Sequence, residues 1–187
     1  MSQEDRDRWN RRYRGEPPST APSAHLLDAE PLLPPPGRAL DVAGGGGRNA
    51  LWLAQRGWDV TLTDVSDEAL RIAGQRAAGA GLSVRTVQCD FDSDPLPAGP
   101  WHLIVSFHFL DRRLFAEMAQ QLDVGGVLVF VQATRSNLQR FEKPPAHYLL
   151  DDGELPTLLA PLRILRYEEG WLAEGRHDAF VVAERSA

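Results

Sequence analysis

The sequence has very little cysteine and very little lysine. Cys89 is its one cysteine, which excludes an internal disulfide and any zinc site built from several cysteines. Lys143 is its one lysine. There is therefore no Gly-Lys-Ser/Thr phosphate loop, and imine chemistry would depend on a single lysine in a proline-rich loop. Both of those enzyme classes are excluded.

Long apolar runs and an excess of positive charge are also missing. No apolar run approaches the roughly 20 residues that cross a bilayer, and the net charge of −6 argues against binding along nucleic-acid phosphates. The polar segment Met1–Arg6 has no signal-peptide core. We expect a cytoplasmic monomer or homodimer that acts on a small molecule, with no nucleic acid, membrane or metal partner.

The 187 residues, 43% of them hydrophobic and 25% charged, fit one α/β domain with a short extension. Residues 1–37 are interpreted as an N-terminal helix followed by a proline-rich arm or lid, because charge is dense in residues 2–15 and prolines recur up to Gly37. Residues 38–187 then form the main domain.

Strands and helices alternate through the main domain. The pattern predicts a three-layer, Rossmann-like, doubly wound sheet that is mostly parallel. Seven strands are expected, and the last two, Arg163–Glu169 and Ala179–Glu184, lack a helix between them, which predicts an antiparallel C-terminal hairpin strand. The pattern also predicts helices at residues 111–121 and 151–159, and a turn at Gly125-Gly126 before a strand at residues 127–131.

The organising stretch is a short strand ending near Asp41, four glycines (Gly44–Gly47), and a helical pattern. Glycine lets a ligand approach the backbone closely at a helix start, where unpaired N–H groups and the positive helix dipole lie. A flexible linker is the alternative, but the strand before and the helix after make it a poor fit. The stretch predicts a nucleotide-type cofactor loop.

Carboxylates discriminate between two cofactor classes. Asp41, Asp64 and Asp90 stand at three predicted strand ends, where ligands bind in such sheets, and Asp64 lies about 20 residues past the glycines, as a ribose-binding carboxylate does. A dinucleotide fingerprint is formally satisfied by Gly45–Ala50. Asp41 would repel a pyrophosphate but would stabilise the cationic methionyl group of S-adenosylmethionine. The sign of this charge therefore favours S-adenosylmethionine over a dinucleotide.

These residues resemble the class I S-adenosylmethionine-dependent methyltransferases. Asp41–Gly47 looks like their first motif, with Ala43 in place of the usual first glycine; Asp64 matches the ribose carboxylate, and Asp90-Phe91 the adenine position. The resemblance implies a cofactor site made of Trp9, Arg12, Tyr13, Asp41, Ala43, Gly44, Gly45, Gly47, Asn49, Asp64, Val65, Asp90, Phe91 and Ser106.

A narrower resemblance is to the small bacterial tellurite-resistance and thiol methyltransferases. It is carried by Trp9–Tyr13, Gly47–Leu51, Phe109–Arg112 and Tyr148–Leu155. In that group the N-terminal segment closes over the cofactor. The resemblance implies methyl transfer to a small acceptor, a thiol or a tellurite-like oxyanion.

Acceptor-site candidates follow the fourth strand and the loop at residues 132–148. His108, Arg112 and His147 are the expected catalytic residues, because His108 ends the strand where the methyl group should emerge and arginine binds anions. Other candidates there are Ser106, Arg135, Arg140 and Tyr148. An NAD(P)-binding oxidoreductase and a non-catalytic S-adenosylmethionine-binding module remain the alternatives.

Overall fold

The computed structural model describes residues 3–16 and 18–187. Met1, Ser2 and Pro17, which belong to the predicted arm, lie outside the described residues. Within the described part, the helices are α1 Gln3–Gly15, α2 Ala24–Ala29, α3 Arg48–Gln55, α4 Asp67–Gly79, α5 Leu114–Gln121 and α6 Leu155–Leu158. The strands are β1 Arg38–Val42, β2 Asp59–Asp64, β3 Val84–Gln88, β4 Trp101–Phe107, β5 Leu122–Ala133, β6 Arg163–Trp171 and β7 His177–Glu184.

The strands form one sheet in the order β3-β2-β1-β4-β5-β7-β6. Neighbours from β3 to β5 pair in parallel, whereas β7 pairs antiparallel with both β5 and β6. β7 is therefore the one reversed strand, inserted between β5 and the edge strand β6. The predicted fold class is confirmed, including the antiparallel strand at the C-terminus.

Helices cover both faces of the sheet. On one face, Leu26 of α2, Leu53 of α3 and Ala73 of α4 pack in a single apolar cluster. On the other face, Phe115 of α5 and Leu155 of α6 pack in a second cluster. The central strands are buried on both sides, so their sequences are nearly continuous apolar runs, as in other parallel sheets.

Three elements differ from the sequence-based prediction. β5 begins at Leu122, so Gly125 and Gly126 lie inside a long strand, next to a register irregularity opposite Trp101. α5 begins at Leu114 rather than residue 111, because the Asp111 side chain accepts the Arg113 N–H and forms a turn. The last helix is one turn at Leu155–Leu158. In the loop at residues 132–148, 3₁₀ turns form at Arg135–Gln139 and Ala146–Tyr148.

The N-terminal segment lies against the main sheet. Helix α1 contacts α4, and Leu26 and Ala29 of α2 are fully buried. The described residues contain no helix that combines the length and the apolar character needed to cross a membrane. The division of the chain at residue 37 into arm and main domain stays a prediction.

Candidate functional site

The glycine loop joins β1 to α3 at the carboxyl end of the sheet. Ala43 has φ = 52°, Gly45 has φ = 58° and Gly47 has φ = 80°. This left-handed region is costly for residues with a Cβ but not for glycine. Ala43 therefore holds a strained backbone at the start of the loop, a feature associated with functional sites.

The glycines are approached closely by groups of the protein itself. A Cβ on Gly44 would lie 2.6 Å from the Asp41 carboxyl group, and one on Gly45 would clash with the Tyr13 hydroxyl. A Cβ on Gly46 would clash with the Pro18 ring. The loop is thus enclosed between a buried carboxylate, helix α1 and the proline-rich arm, and no larger side chain fits there.

Asp41 and Asp64 lie buried below this loop. Burial, together with the nearby charge of Asp64, raises the pKa of Asp41 to about 7, against 3.8 ordinarily. Burial likewise raises the pKa of Asp64 to about 6, although Asp64 accepts the Gly45 and Ser66 N–H groups, each at 2.9 Å. The Oδ2 atom of Asp41 is buried and has no hydrogen-bond partner among the described residues. This oxygen is therefore a buried acceptor without a donor, an arrangement that costs free energy.

A cavity of about 470 Å³ opens above the two carboxylates, within the size range of small-molecule sites. Both signs of charge occur in its wall: Glu16, Asp41 and Asp64 face it together with Arg12, Arg48 and Arg176. Its other lining residues are Trp9, Tyr13, Pro18, Ser19, Ala43, Gly44, Gly45, Gly46, Asn49, Val65, Phe107, His108 and Phe109. Such a wall fits a ligand that carries groups of both signs of charge.

Helix α1 supplies the aromatic side of the cavity. The rings of Trp9 and Tyr13 lie 6.0 Å apart, and the Arg12 guanidinium lies 5.2 Å from the Trp9 ring centroid, a cation–π distance. Burial raises the pKa of Tyr13 to about 12, with a contribution from Asp64. Tyr13 therefore stays protonated and offers an O–H group beside the glycine loop.

His108 follows β4 with φ = 59°, and its backbone N–H donates to Val131 O at 2.8 Å. The residue is exposed to solvent where it faces the cavity. Desolvation by the surrounding protein atoms lowers the pKa of His108 to about 3, and the positive charges of Arg176 and Arg48 add to the effect. The imidazole is consequently neutral at physiological pH.

A second cavity, of about 1140 Å³, adjoins the first. The two share a wall formed by Trp9, Arg12, His108, Phe109 and Arg176. The second cavity extends from this wall to α1 on one side and to the loop containing Lys143 and Tyr148 on the other. A chemical group transferred from a ligand in one cavity to a ligand in the other would move past these shared residues.

Most of the predicted site residues line one of the two cavities. The first holds Trp9, Arg12, Tyr13, Asp41, Ala43, Gly44, Gly45, Asn49, Asp64, Val65 and His108, and the second holds Phe91, Arg112, His147 and Tyr148. Five others line neither cavity: Gly47, Asp90, Ser106, Arg135 and Arg140. Gly47 precedes α3 and lies against Leu51 and Ala73.

The three arginine candidates have structural partners, whereas Ser106 does not. Ser106 is buried in β4 between β1 and β5, and its hydroxyl has no hydrogen-bond partner among the described residues. Arg112 lines the second cavity but forms an ion pair with Glu154. Arg135 pairs with Asp151 at 2.8 Å, and Arg140 lies 3.6 Å from the Trp171 ring centroid. These contacts account for the two arginines outside the cavities.

Arg176 is the main residue that sequence reasoning missed. It precedes β7 in the hairpin, faces both cavities and pairs with Asp178 at 3.0 Å. Its Nε atom is buried and has no hydrogen-bond partner among the described residues. No local motif marks it, because its place in the site depends on the insertion of β7 beside β5.

The first cavity fits S-adenosylmethionine. The unpartnered Asp41 oxygen and the neighbouring aromatic rings suit the cationic sulfonium and ammonium groups, and the arginines suit the carboxylate of the methionyl group. A carboxylate at Asp41, directly before the glycine loop, would instead repel the pyrophosphate of an NAD(P) cofactor.

Comparison with known proteins agrees with this geometry. Residues 39–126 match the family described as "Methyltransferase domain". The chain is 33% identical over 106 residues to the ubiquinone/menaquinone biosynthesis C-methyltransferase UbiE of Bordetella parapertussis, a match covering 52% of this chain and 41% of that protein. It is 26% identical over 161 residues to the probable S-adenosyl-L-methionine-dependent methyltransferase TehB of Haemophilus influenzae, covering 81% and 54% respectively. The chain thus matches about half or less of these relatives' lengths.

Solved structures share the fold. The crystal structure of TehB from Haemophilus influenzae matches with a TM-score of 0.77 at 23% identity, over 95% of this chain and 67% of that one. A TehB-like S-adenosylmethionine-dependent methyltransferase from Corynebacterium glutamicum matches with a TM-score of 0.66 at 21% identity, over 98% and 97%. None of these comparisons points to an oxidoreductase.

Proposed function

We propose that this chain, which belongs to the class I S-adenosylmethionine-dependent methyltransferases, transfers the methyl group to a small acceptor of the thiol or tellurite-oxyanion class. S-adenosylmethionine is its cofactor. The acceptor class rests on the resemblance of Trp9–Tyr13 and of Tyr148–Leu155 to the tellurite-resistance and thiol methyltransferases, and on the two joined cavities.

The observation that carries the proposal is the buried, unpartnered Asp41 oxygen in the first cavity. An isolated buried acceptor is costly unless a donor or a cation meets it. The cationic methionyl group of the cofactor would supply the missing partner of the Asp41 oxygen. The ribose hydroxyls would donate hydrogen bonds to Asp64 at the end of β2. Trp9, Arg12 and Tyr13 would cover the cofactor from α1.

When bound, S-adenosylmethionine would supply an electrophilic methyl group to the acceptor atom, with the sulfonium's bonding pair returning to sulfur in S-adenosylhomocysteine. The protein's task is mainly orientation. The shared wall holds the acceptor in line, and neutral His108 can accept its hydrogen bond. Because its pKa is about 3, the His108 ring is uncharged at neutral pH, and its role is to orient the acceptor. A thiol acceptor loses its proton to solvent.

Isothermal titration calorimetry with S-adenosylmethionine and NADH tests the cofactor assignment. We expect binding of S-adenosylmethionine alone, and at least a tenfold weaker affinity for Asp41→Asn, since losing one charge-assisted interaction costs about 1.5–3 kcal/mol. The Asp59→Asn variant, the same chemical change at an exposed position at the start of β2, is the control. Tight NADH binding would support the oxidoreductase instead.

Release of S-adenosylhomocysteine during incubation with thiols, tellurite and a metabolite panel tests the reaction. Methylation of a thiol or of tellurite supports the proposal. Cofactor binding without turnover on any of these acceptors would favour the non-catalytic binding module.

A further inference from the structure

The second cavity carries information about the acceptor that the sequence resemblance does not. It is lined by six cationic side chains, those of Arg8, Arg12, Arg112, Arg113, Lys143 and Arg176, against three acidic ones, those of Asp5, Asp92 and Asp111. In the part of the chain that the structure describes, neither Arg12 nor Lys143 forms an ion pair. The wall therefore has a positive excess and two cations able to meet a ligand.

The same cavity has a large apolar and aromatic surface. The rings of Phe109, Trp9 and Tyr148 lie in its wall together with the side chain of Leu110. Tyr148 is 36% exposed, so its ring is accessible. Flat apolar ligands pack well on such rings, and ligand sites usually combine an apolar lining with a few polar groups.

The volume of the second cavity suits a bulky organic anion better than a small inorganic oxyanion. A water molecule occupies about 30 Å³ in the liquid, and a four-atom oxyanion takes up only a few times that volume. The cavity of about 1140 Å³ would leave such an ion mostly surrounded by water, with the aromatic side chains uncovered. A bulky organic anion would contact both the rings and the cations.

We propose that the second cavity binds an organic acceptor with an aromatic body and a separate anionic group, the anionic group lying at Lys143 and the methyl-accepting atom at the wall shared with the first cavity. This inference rests on the proposed function and narrows its acceptor class. Lys143 lines the second cavity but not the first, so it acts on the acceptor and leaves the cofactor site unchanged.

Calorimetric binding of product-like probes tests this without cofactor or turnover. 4-(Methylthio)phenylacetate and 4-(methylthio)phenylacetamide have the same aromatic thioether and differ in charge. We expect the carboxylate to bind about tenfold more tightly, the effect of one charge-assisted contact near the surface. Tellurite should bind more weakly than the carboxylate.

Two variants with the same change in net charge locate the effect. Lys143→Glu should weaken carboxylate binding about tenfold, with amide binding unchanged within about twofold. Arg85→Glu, on exposed β3 away from both cavities, should leave both affinities unchanged. Equal binding of carboxylate and amide, or equal loss in both variants, would overturn the inference.

Turnover distinguishes failure of this inference from failure of the proposed function. Methylation of 4-mercaptophenylacetate with a lower KM than neutral 4-ethylbenzenethiol supports the inference. If tellurite or 2-mercaptoethanol is methylated but 4-mercaptophenylacetate is not, the inference is wrong and the methyltransferase function stands. If S-adenosylmethionine does not bind, the proposed function fails, whatever the probes show.

Discussion

The side-chain oxygen of Asn10 accepts a hydrogen bond from Ser66 Oγ at 2.6 Å, although the two residues are 56 positions apart. Asn10 is buried on an otherwise accessible helix, and its Nδ2 atom donates to Asp67 at 3.2 Å. Ser66 also caps α4 by accepting the Ala69 N–H. One asparagine thus fastens α1 to the start of α4 and sets where Trp9 and Tyr13 meet the cofactor cavity.

Replacing Asn10 by Ala should free α1 and leave the sheet intact. We expect S-adenosylmethionine affinity to fall about tenfold or more, because the aromatic wall loses its orientation. Hydrogen exchange should rise in α1 and stay low in the β strands. Arg6→Ala, which removes the exposed ion pair with Asp67, is the control and should change cofactor affinity and α1 exchange much less. Unchanged exchange in α1 would show that Asn10 does not hold the helix.

Asp41 should make the cofactor-free protein less stable as pH rises from about 4 to about 7. Its folded pKa, near 7, exceeds the ordinary 3.8, so the folded state keeps a proton that the unfolded chain has already released, and stability falls through this window. The change is on the order of a few kcal/mol, at about 1.4 kcal/mol per pKa unit. Urea unfolding at several pH values measures it.

Asp41→Asn cannot titrate, so its stability should vary less between pH 4 and pH 7. A cationic cofactor favours the ionised carboxylate, and wild-type binding at pH 6.5 should therefore release protons. Calorimetry in two buffers of different ionisation enthalpy detects this release. Identical pH slopes for wild type and variant would contradict the assignment.

Asp64→Asn should remove measurable S-adenosylmethionine binding and also weaken the fold. The amide cannot accept from both Gly45 and Ser66 as the carboxylate does, and one unsatisfied buried N–H costs about 1–3 kcal/mol. Calorimetry and urea unfolding give the two quantities. The exposed Asp59→Asn variant should change neither. Near-wild-type cofactor affinity in Asp64→Asn would rule out its role with the ribose.

His108→Asn should lower turnover more than it lowers cofactor affinity. Asparagine tolerates the positive φ at this position, so the fold should be kept, while loss of acceptor orientation should reduce kcat about 10²-fold. Since the pKa of His108 is about 3, the wild-type rate should show no inflection from this residue between pH 5 and pH 8. Unchanged kcat would remove His108 from the catalytic residues.

Ala43→Gly should stabilise the protein slightly or leave its stability unchanged. Relief of the left-handed strain should raise the free energy of unfolding by about 1–2 kcal/mol. The greater freedom of glycine in the unfolded chain should lower it by about 0.5–1 kcal/mol. Ala54→Gly, inside helix α3, is the matched control and should lose about 1 kcal/mol. Equal losses in both variants would show that Ala43 is not strained.

The order of strands and helices was predictable because each parallel strand and each crossover helix has its own local pattern. Asp41 and Asp64 were predictable as neighbours for a related reason: the carboxyl ends of adjacent parallel strands meet at one edge of the sheet. The short α6 and the early start of β5 were not predicted. The ends of these two elements depend on side-chain hydrogen bonds and on pairing with distant strands. Local sequence periodicity does not contain that information.

The sequence by itself determined the fold class, the carboxylates at the strand ends and the class of cofactor, since these follow from periodicity, spacing and the sign of charge. Only the tertiary structure decided that Asn10 fastens α1 to α4, that Arg176 reaches both cavities, and that His108 is neutral. Each of these depends on groups far apart in the chain coming together, where burial and neighbouring charges set the energy of a side chain.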